Sequence, residues 1–246
     1  VDVSNIDVKV KIERFDREIS GIKPETLPQQ AKAISEKYGQ FYDDYMERML
    51  AVGPTNGTQY LASLHSVLQN PDYIALDKAV VEKYPDLQEQ EEQLTDAFKH
   101  VKYYYPQQKL PRLISFISGF SVQTPIGNDY VGIGLDMFLG ANSKFYPALR
   151  QSIPQYISRR FTPENITPRV VEAFLREEMF PERDEDRSLL AKMVYNGKIL
   201  YCMDAMMPDI ADTVKTGFTA QQLEWCQTYE GSIWGYFLEQ NLLYET

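Results

Sequence analysis

The stretch closest to a known chemistry is Arg176, Glu177, Glu178, Met179 and Phe180, reading REEMF. A zinc-hydrolase helix reads His-Glu-x-x-His. Its two imidazoles lie at i and i+4 on one helix face and hold the metal, while the Glu acts as general base toward a metal-bound water. Of that set REEMF keeps only Glu177. The Arg176 guanidinium donates and does not accept, so it is no metal ligand. The Phe180 ring offers no lone pair either. On residues alone the stretch is an amphipathic helix with acidic residues, expected to bind no metal. Asn196 stands on the next helical segment, within the apolar series Leu189, Met193, Leu200, Met203 and Met207. A buried amide must find partners. One reading is a structural Asn bonded to backbone. The other is a position from which a third metal ligand would project, with Gly197 beside it allowing close helix approach.

A second chemistry needs no metal. Two carboxylates in unequal environments divide acid and base roles between them. Glu177 and Glu178, with Asp136 or Asp204, are the candidates. Arg176 beside them argues against it, because a guanidinium favours the charged form of the carboxylates around it. The chain's two histidines, His65 and His100, fall on separate helices, which excludes a three-His site. No nucleophile elbow supports a Ser-His-Asp triad. There is no GxGxxG and no P-loop. Tyr130 to Asp136 reads YVGIGLD. Its glycines at a spacing of two leave backbone open on one face, for strand addition or for close packing against a helix. Tyr103-Tyr104-Tyr105-Pro106 reads as wall or core.

These residues must be positioned by a mostly helical chain. Thr167 suits an N-cap and Pro168 a first helical position, with Val171, Phe174 and Leu175 facing inward. The charged stretch PERDEDR separates this helix from a second one that ends near Asp209. Upstream, Val3 to Phe15 alternates like a half-buried edge strand. Apolar spacing predicts helices over Leu27–Met49, Tyr60–Leu68, Asp72–Lys83 and Leu87–Tyr104, the last with Leu94, Phe98, Val101 and Tyr105 inward. Leu113–Phe120 and Tyr130–Leu135 read as strands of a small mixed sheet. Pro147–Arg160 reads as helical in part, interrupted at Pro154. Thr219 and Gln222 start a closing helix to Tyr244, with Leu223, Cys226, Tyr229, Ile233, Phe237 and Leu242 inward. The fold class is α+β, helix-dominated, with a small mixed sheet packed against helices, in one domain over residues 1–246.

Composition narrows the partners. The formal net charge of −10 disfavours nucleic acid and anionic lipid. The 17 Tyr and 12 Phe predict a ring-rich core and grooves. No apolar run reaches a membrane span of about 20 residues. The charged, alternating start is not a signal peptide, and the absent initiator Met fits a segment upstream of Val1. Two cysteines, Cys202 and Cys226, allow at most one bridge; two buried free thiols are the expectation.

Several signatures occur in order: KYYYP, LISFISGF with YVGIGLDMFLG after it, LLAKMVYNGKILYCMDAMMPD, and TAQQLEWCQTYEGSIWGYFLEQNLLYET. Together they resemble the gliding-motility lipoprotein GldB family of Bacteroidota, from about Phe15 to Tyr244. Gln222, Trp225, Glu230, Ile233 and Trp234 are the most specific part. The resemblance implies a lipid-anchored protein of the periplasm and cell envelope, linked to type IX secretion. It also implies that the chain is the mature part of a lipoprotein, with a lipidated Cys upstream of Val1. The family is similar in layout to zincin-type peptidases. On that comparison Arg176 and Phe180 stand at the imidazole positions, Glu177 at the catalytic Glu position and Asn196 near the third-ligand position. The resemblance thus implies a zincin-like pseudoenzyme without cofactor, whose Tyr- and Phe-lined cleft binds an envelope protein or peptide. The alternative is a carboxylate-dependent hydrolase or peptidase acting in the periplasm.

Overall fold

The structure, a computed structural model, describes all residues except Ser152, Asp184 and Thr246. In chain order its regular elements are β1 (Ile12–Arg14), α1 (Phe15–Ser20), α2 (Leu27–Tyr38), α3 (Gln40–Asp44), α4 (Tyr60–Leu68), α5 (Pro71–Lys83) and α6 (Gln88–Tyr104). Then come β2 (Arg112–Phe116), β3 (Tyr130–Gly134), α7 (Gln155–Ser158), α8 (Ile166–Phe174), α9 (Leu189–Met206), α10 (Asp212–Thr216), α11 (Ala220–Thr228) and α12 (Glu230–Glu239). The fold is helix-dominated α+β. The described residues form two compact units, each assembled from separated segments. One comprises Val1–Val8, Gln93–Gln108 and Thr167–Thr246; the other comprises Lys9–Glu92 and Lys109–Ile166.

The second of these units carries the sheet, ordered β1-β2-β3. The expected mixed sheet is corrected: Ile12 pairs Leu113, and Leu113 pairs Val131, both in parallel ladders. Among the described residues the only antiparallel feature is an isolated bridge between Ile126 and Val131. The β2–β3 connection explains the parallel pairing. It doubles back along the outer edge of β3, where the Gly132 N–H donates to the Pro125 carbonyl at 2.8 Å and the Gly134 N–H to Gln123 at 2.9 Å. A Cβ on Gly134 would lie 2.6 Å from the Val122 carbonyl oxygen. The glycines therefore seat a loop rather than a helix, and this edge has no backbone left to receive a peptide strand. On the opposite edge the Ile12 N–H donates to Glu91 Oε1 at 3.0 Å. Only three residues of the alternating Val3–Phe15 stretch are strand. The residues before them have no strand to pair with, and alternation alone does not make a ladder.

Aromatic rings form the core of this unit. Phe15 is fully buried, with Tyr38, Phe41 and Tyr45 presenting edges to it at centroid distances of 4.9, 5.0 and 4.8 Å. Each such pair adds about 0.5–1.5 kcal/mol beyond burial. Gly39, at φ +53°, breaks the predicted long helix between α2 and α3. A π-turn at Tyr45–Met49 then ends α3.

Asp136, two residues past β3, is buried. Its carboxylate accepts from the Ser118 N–H at 3.0 Å, the Phe120 N–H at 2.7 Å and the Ser118 hydroxyl at 3.0 Å. Gly119 and Phe120 both take positive φ, +65° and +66°, so this carboxylate holds a loop that would not close by itself.

The other unit is helical. Leu94, Phe98 and Val101 of α6, Val170, Val171 and Phe174 of α8, and Ile199, Met203 and Met206 of α9 are buried. Phe98 and Phe174 meet edge to face at 5.4 Å. The start of α8 differs from expectation. A 3-10 turn at Pro163–Asn165 leads into Ile166, so Thr167 lies inside the first turn. Its hydroxyl donates to Gln93 Oε1 at 2.8 Å instead of capping the helix. The predicted cap at Thr219 is present as a full capping box with Gln222. The closing helix is interrupted at Tyr229, which divides α11 from α12.

Burial raises the Asp136 carboxyl above its ordinary value of 3.8, against the lowering effect of the Ser118 and Phe120 amides. The folded chain keeps that proton to higher pH than the unfolded chain does. Stability therefore falls as pH rises from about 4 through the raised value. Asp136→Asn removes this dependence and leaves a backbone N–H without its acceptor, costing about 1–3 kcal/mol. Urea unfolding across pH should show the gap between wild type and variant widest at the acid end and narrowing as pH rises.

Candidate functional site

The REEMF residues sit at a change of helix type. α8 ends at Phe174, and Leu175–Met179 form a π-turn closed by the Phe180 N–H on the Leu175 carbonyl at 2.8 Å. π-turns inside helices recur at functional sites because they shift side chains off the regular register. Here the turn sends Arg176 toward α9. Arg176 Nε donates to Glu172 Oε1 at 3.0 Å, and its Nη2 donates to Asn196 Oδ1 at 2.8 Å. The guanidinium also lies over the Tyr195 ring, 5.3 Å from its centroid. Phe180 faces the same helix. Its carbonyl accepts from the Tyr195 hydroxyl at 3.0 Å, and Lys198 Nζ lies 4.1 Å from its ring centroid.

Of the four expected positions, Arg176 and Asn196 thus meet, and Phe180 lies against the same helix at Tyr195 and Lys198. Glu177 does not join them; it is exposed, as is Glu178. Asn196 is corrected in one respect. It is exposed rather than set in the apolar stripe, and its Nδ2 donates to the Lys192 carbonyl at 2.8 Å. The buried stripe of α9 runs one step over, through Ile199, Met203 and Met206. Among the described residues no three His, Cys, Asp or Glu side chains are grouped to hold a metal ion.

The remaining candidates are engaged elsewhere. Asp136 belongs to the sheet unit, where its oxygens hold the Ser118–Phe120 loop. Asp204 pairs with the buried Lys215 at 2.5 Å, and Asp212 joins them at 3.1 Å. His65 is exposed. His100 is buried with Nδ1 3.0 Å from the Asp96 carbonyl. Cys202 and Cys226 are free and half-buried rather than buried, and partial burial raises the Cys202 thiol. Tyr103, Tyr104 and Tyr105 are exposed, which removes the core alternative from their reading as wall or core, and also corrects Tyr105 as the last inward residue of α6. Tyr105 instead sets its ring on Phe180 at 5.8 Å.

Two surface features are not apparent from the motifs. A groove of about 500 Å³ opens beside Phe180, with Leu190, Val194 and Tyr195 as its apolar side and Glu182, Arg183 and Lys198 among its charged residues. The closing helices expose Trp225, Tyr229, Trp234, Tyr236 and Leu238, although the residues predicted to face inward are only half-buried or, at Tyr229, exposed. The signal was present. SIWGYFL places apolar side chains all around α12, more than one buried face can absorb.

These observations define a helix-dominated α+β protein whose candidate site is a π-turn and a facing helix joined by a guanidinium. Among the described residues no helix is long and apolar enough to cross a membrane. The GldB_lipo family model, described as gliding motility protein GldB, matches residues 1–246, and the chain belongs to that family. Membership makes it a gliding-motility-associated lipoprotein of the cell envelope. No curated protein and no solved structure matches it.

If Arg176 joins the two helices, its removal weakens the fold locally and in concert with Asn196. Arg176→Ala should cost about 0.5–1.5 kcal/mol, and a double-mutant cycle with Asn196→Ala should give a coupling of about 0.5 kcal/mol. Glu177→Gln should leave the unfolding midpoint unchanged. Chemical denaturation of the wild type and the variants measures all three.

Proposed function

We propose that this GldB-family protein is non-enzymatic and holds a peptide or protein of the envelope on a zincin-like scaffold whose metal ligands have been replaced. The observation that carries this reading is the 2.8 Å hydrogen bond from Arg176 to Asn196. In a zincin-type site a first imidazole and a third ligand meet through a metal ion. Here Arg176 and Asn196, the residues compared with those positions, bond each other directly, and Phe180, compared with the second imidazole, carries a ring. Glu177 keeps its carboxylate but is exposed, and among the described residues no three His, Cys, Asp or Glu side chains are grouped to hold a metal ion.

The groove beside Phe180 supports the binding role. Its apolar side offers purchase for an aliphatic or aromatic side chain, and its rim of mixed charge can fix a backbone or a polar partner. The reading requires no cofactor. A lipid anchor upstream of Val1 and a periplasmic location belong to the same reading, and both rest on the family's character rather than on the site. The carboxylate hydrolase finds less support. Asp136 is consumed by its loop and Asp204 by Lys215, which leaves two exposed glutamates with nothing to divide their roles.

Two measurements separate the parts of this proposal. A screen against peptide and glycan substrates should show no turnover that Glu177→Gln abolishes; turnover lost in that variant would overturn the non-enzymatic reading. The triple variant Arg176→His, Phe180→His, Asn196→Glu should take up one zinc per chain by mass spectrometry under native conditions. A folded triple variant that takes up no more zinc than the wild type would overturn the zincin-like layout.

A further inference from the structure

The aromatic face of α11 and α12 is a second surface with its own chemistry, and it does not depend on the groove beside Phe180. Trp225, Tyr229, Ser232, Ile233, Tyr236 and Phe237 line a groove of about 420 Å³ that runs across the junction of the two helices. Trp225, Tyr229, Ser232 and Tyr236 succeed one another at steps of four, three and four residues. That is the spacing of a seam that receives another helix. The groove is not closed by the chain itself. Trp225 is 55% exposed and Tyr236 57%, and Leu238 beyond them is 60% exposed. Monomeric proteins rarely leave a contiguous apolar surface of this kind uncovered.

Charge decides between occupants. From residue 216 onward the sequence has no Lys or Arg, while Glu224, Glu230 and Glu239 are carried by the same two helices as the seam. All three are exposed, and among the described residues none has an ion-pair partner. A second copy of the chain would set these carboxylates against one another, on proteins that each carry a net charge of −10. An anionic lipid surface meets the same repulsion. A cationic partner gains twice: its apolar residues enter the groove, and its Lys or Arg side chains reach both the carboxylates and the faces of the Trp and Tyr rings.

We infer that this face docks a basic amphipathic helix of a partner protein, with its apolar side on Trp225, Tyr229, Ile233 and Tyr236 and its cations beside Glu224, Glu230 and Glu239.

Of the chain's two tryptophans, Trp225 lines the groove and Trp234 of α12 does not, so intrinsic fluorescence is read in a Trp234→Phe background to report on this face. The full chain is titrated with a synthetic Leu/Lys amphipathic peptide of about 18 residues, long enough to fold as a helix. A saturable blue shift at one peptide per chain is expected, weakening as salt is added. Tyr236→Ala, a change at an exposed site that alters no charge, should weaken binding about tenfold or more. Neutralising Glu224, Glu230 and Glu239 to Gln should weaken it about tenfold. Val194→Ser, in the other groove, should leave the affinity unchanged. Binding that survives Tyr236→Ala at full strength overturns the inference, because general attraction to an acidic protein then explains it. So does equal or tighter binding of the matching Leu/Glu peptide. A shift produced by phosphatidylcholine or phosphatidylglycerol vesicles but not by the peptide overturns it in favour of a lipid surface. Concentration-dependent burial of Trp225 with sedimentation as a dimer overturns it in favour of a second copy. Cleavage of the peptide during the titration would count against the non-enzymatic reading and not against the docking face.

Discussion

A positive charge that cannot be set aside fixes the candidate site. Arg176 stands on the π-turn that ends α8, and its guanidinium must find acceptors wherever the turn directs it. Glu172 supplies one from the same helix and Asn196 another from α9. With the cation committed in this way, the helix pair is held by a charge-assisted network. The neighbouring residues are placed by that choice. Tyr195 lies beneath the guanidinium and ties its hydroxyl to the Phe180 carbonyl, so the end of the π-turn is anchored at two points on α9. Glu177, which has no role in this network, is left facing solvent.

The sheet unit shows a related economy with its carboxylates. Asp16, buried just after β1, accepts from Arg14 and from the Ser115 hydroxyl; Asp136, just after β3, accepts from the loop after β2. Both lie beyond the carboxyl ends of parallel strands, the place where α/β sheets commonly bind ligands. In this protein their oxygens are taken up by the chain itself. Both sheet edges are occupied as well, one by the returning loop and the other by Glu91. A run of exposed apolar side chains, from Trp225 to Leu238, lies on the closing helices of the helical unit.

Much of this is legible from residues alone. α4 falls where the spacing of Tyr60 and Leu64 places it, α6 and β3 lie within the predicted stretches, and β2 starts one residue before its own, at Arg112. The Thr219–Gln222 capping box is a local signal and needs nothing beyond itself. What is not legible depends on partners distant in sequence. The direction of β2 and β3 rests on a connection that folds along the outer edge of β3, and strand composition is silent about that. Val3 to Val10 alternates like a strand but forms none. Asn196 lies only three residues from the buried Ile199, so a small rotation of α9 moves it from stripe to surface. Periodicity gives a helix a face, but it does not say whether anything covers that face, which is why the inner residues of α11 and α12 read as core. Asp136, a lone acid within GLDMF, carries the mark of a buried and committed carboxylate, yet its residue type fits a catalytic acid equally well.

The central claim proposed for this protein is that a guanidinium and an amide occupy positions where a metal would otherwise sit. Equilibrium titration of the native chain with zinc against a competing chromophoric chelator tests it most directly. The native protein should withdraw no zinc from the chelator at a ratio of one per chain. One tightly held zinc per chain, lost in Asn196→Ala, would contradict the claim.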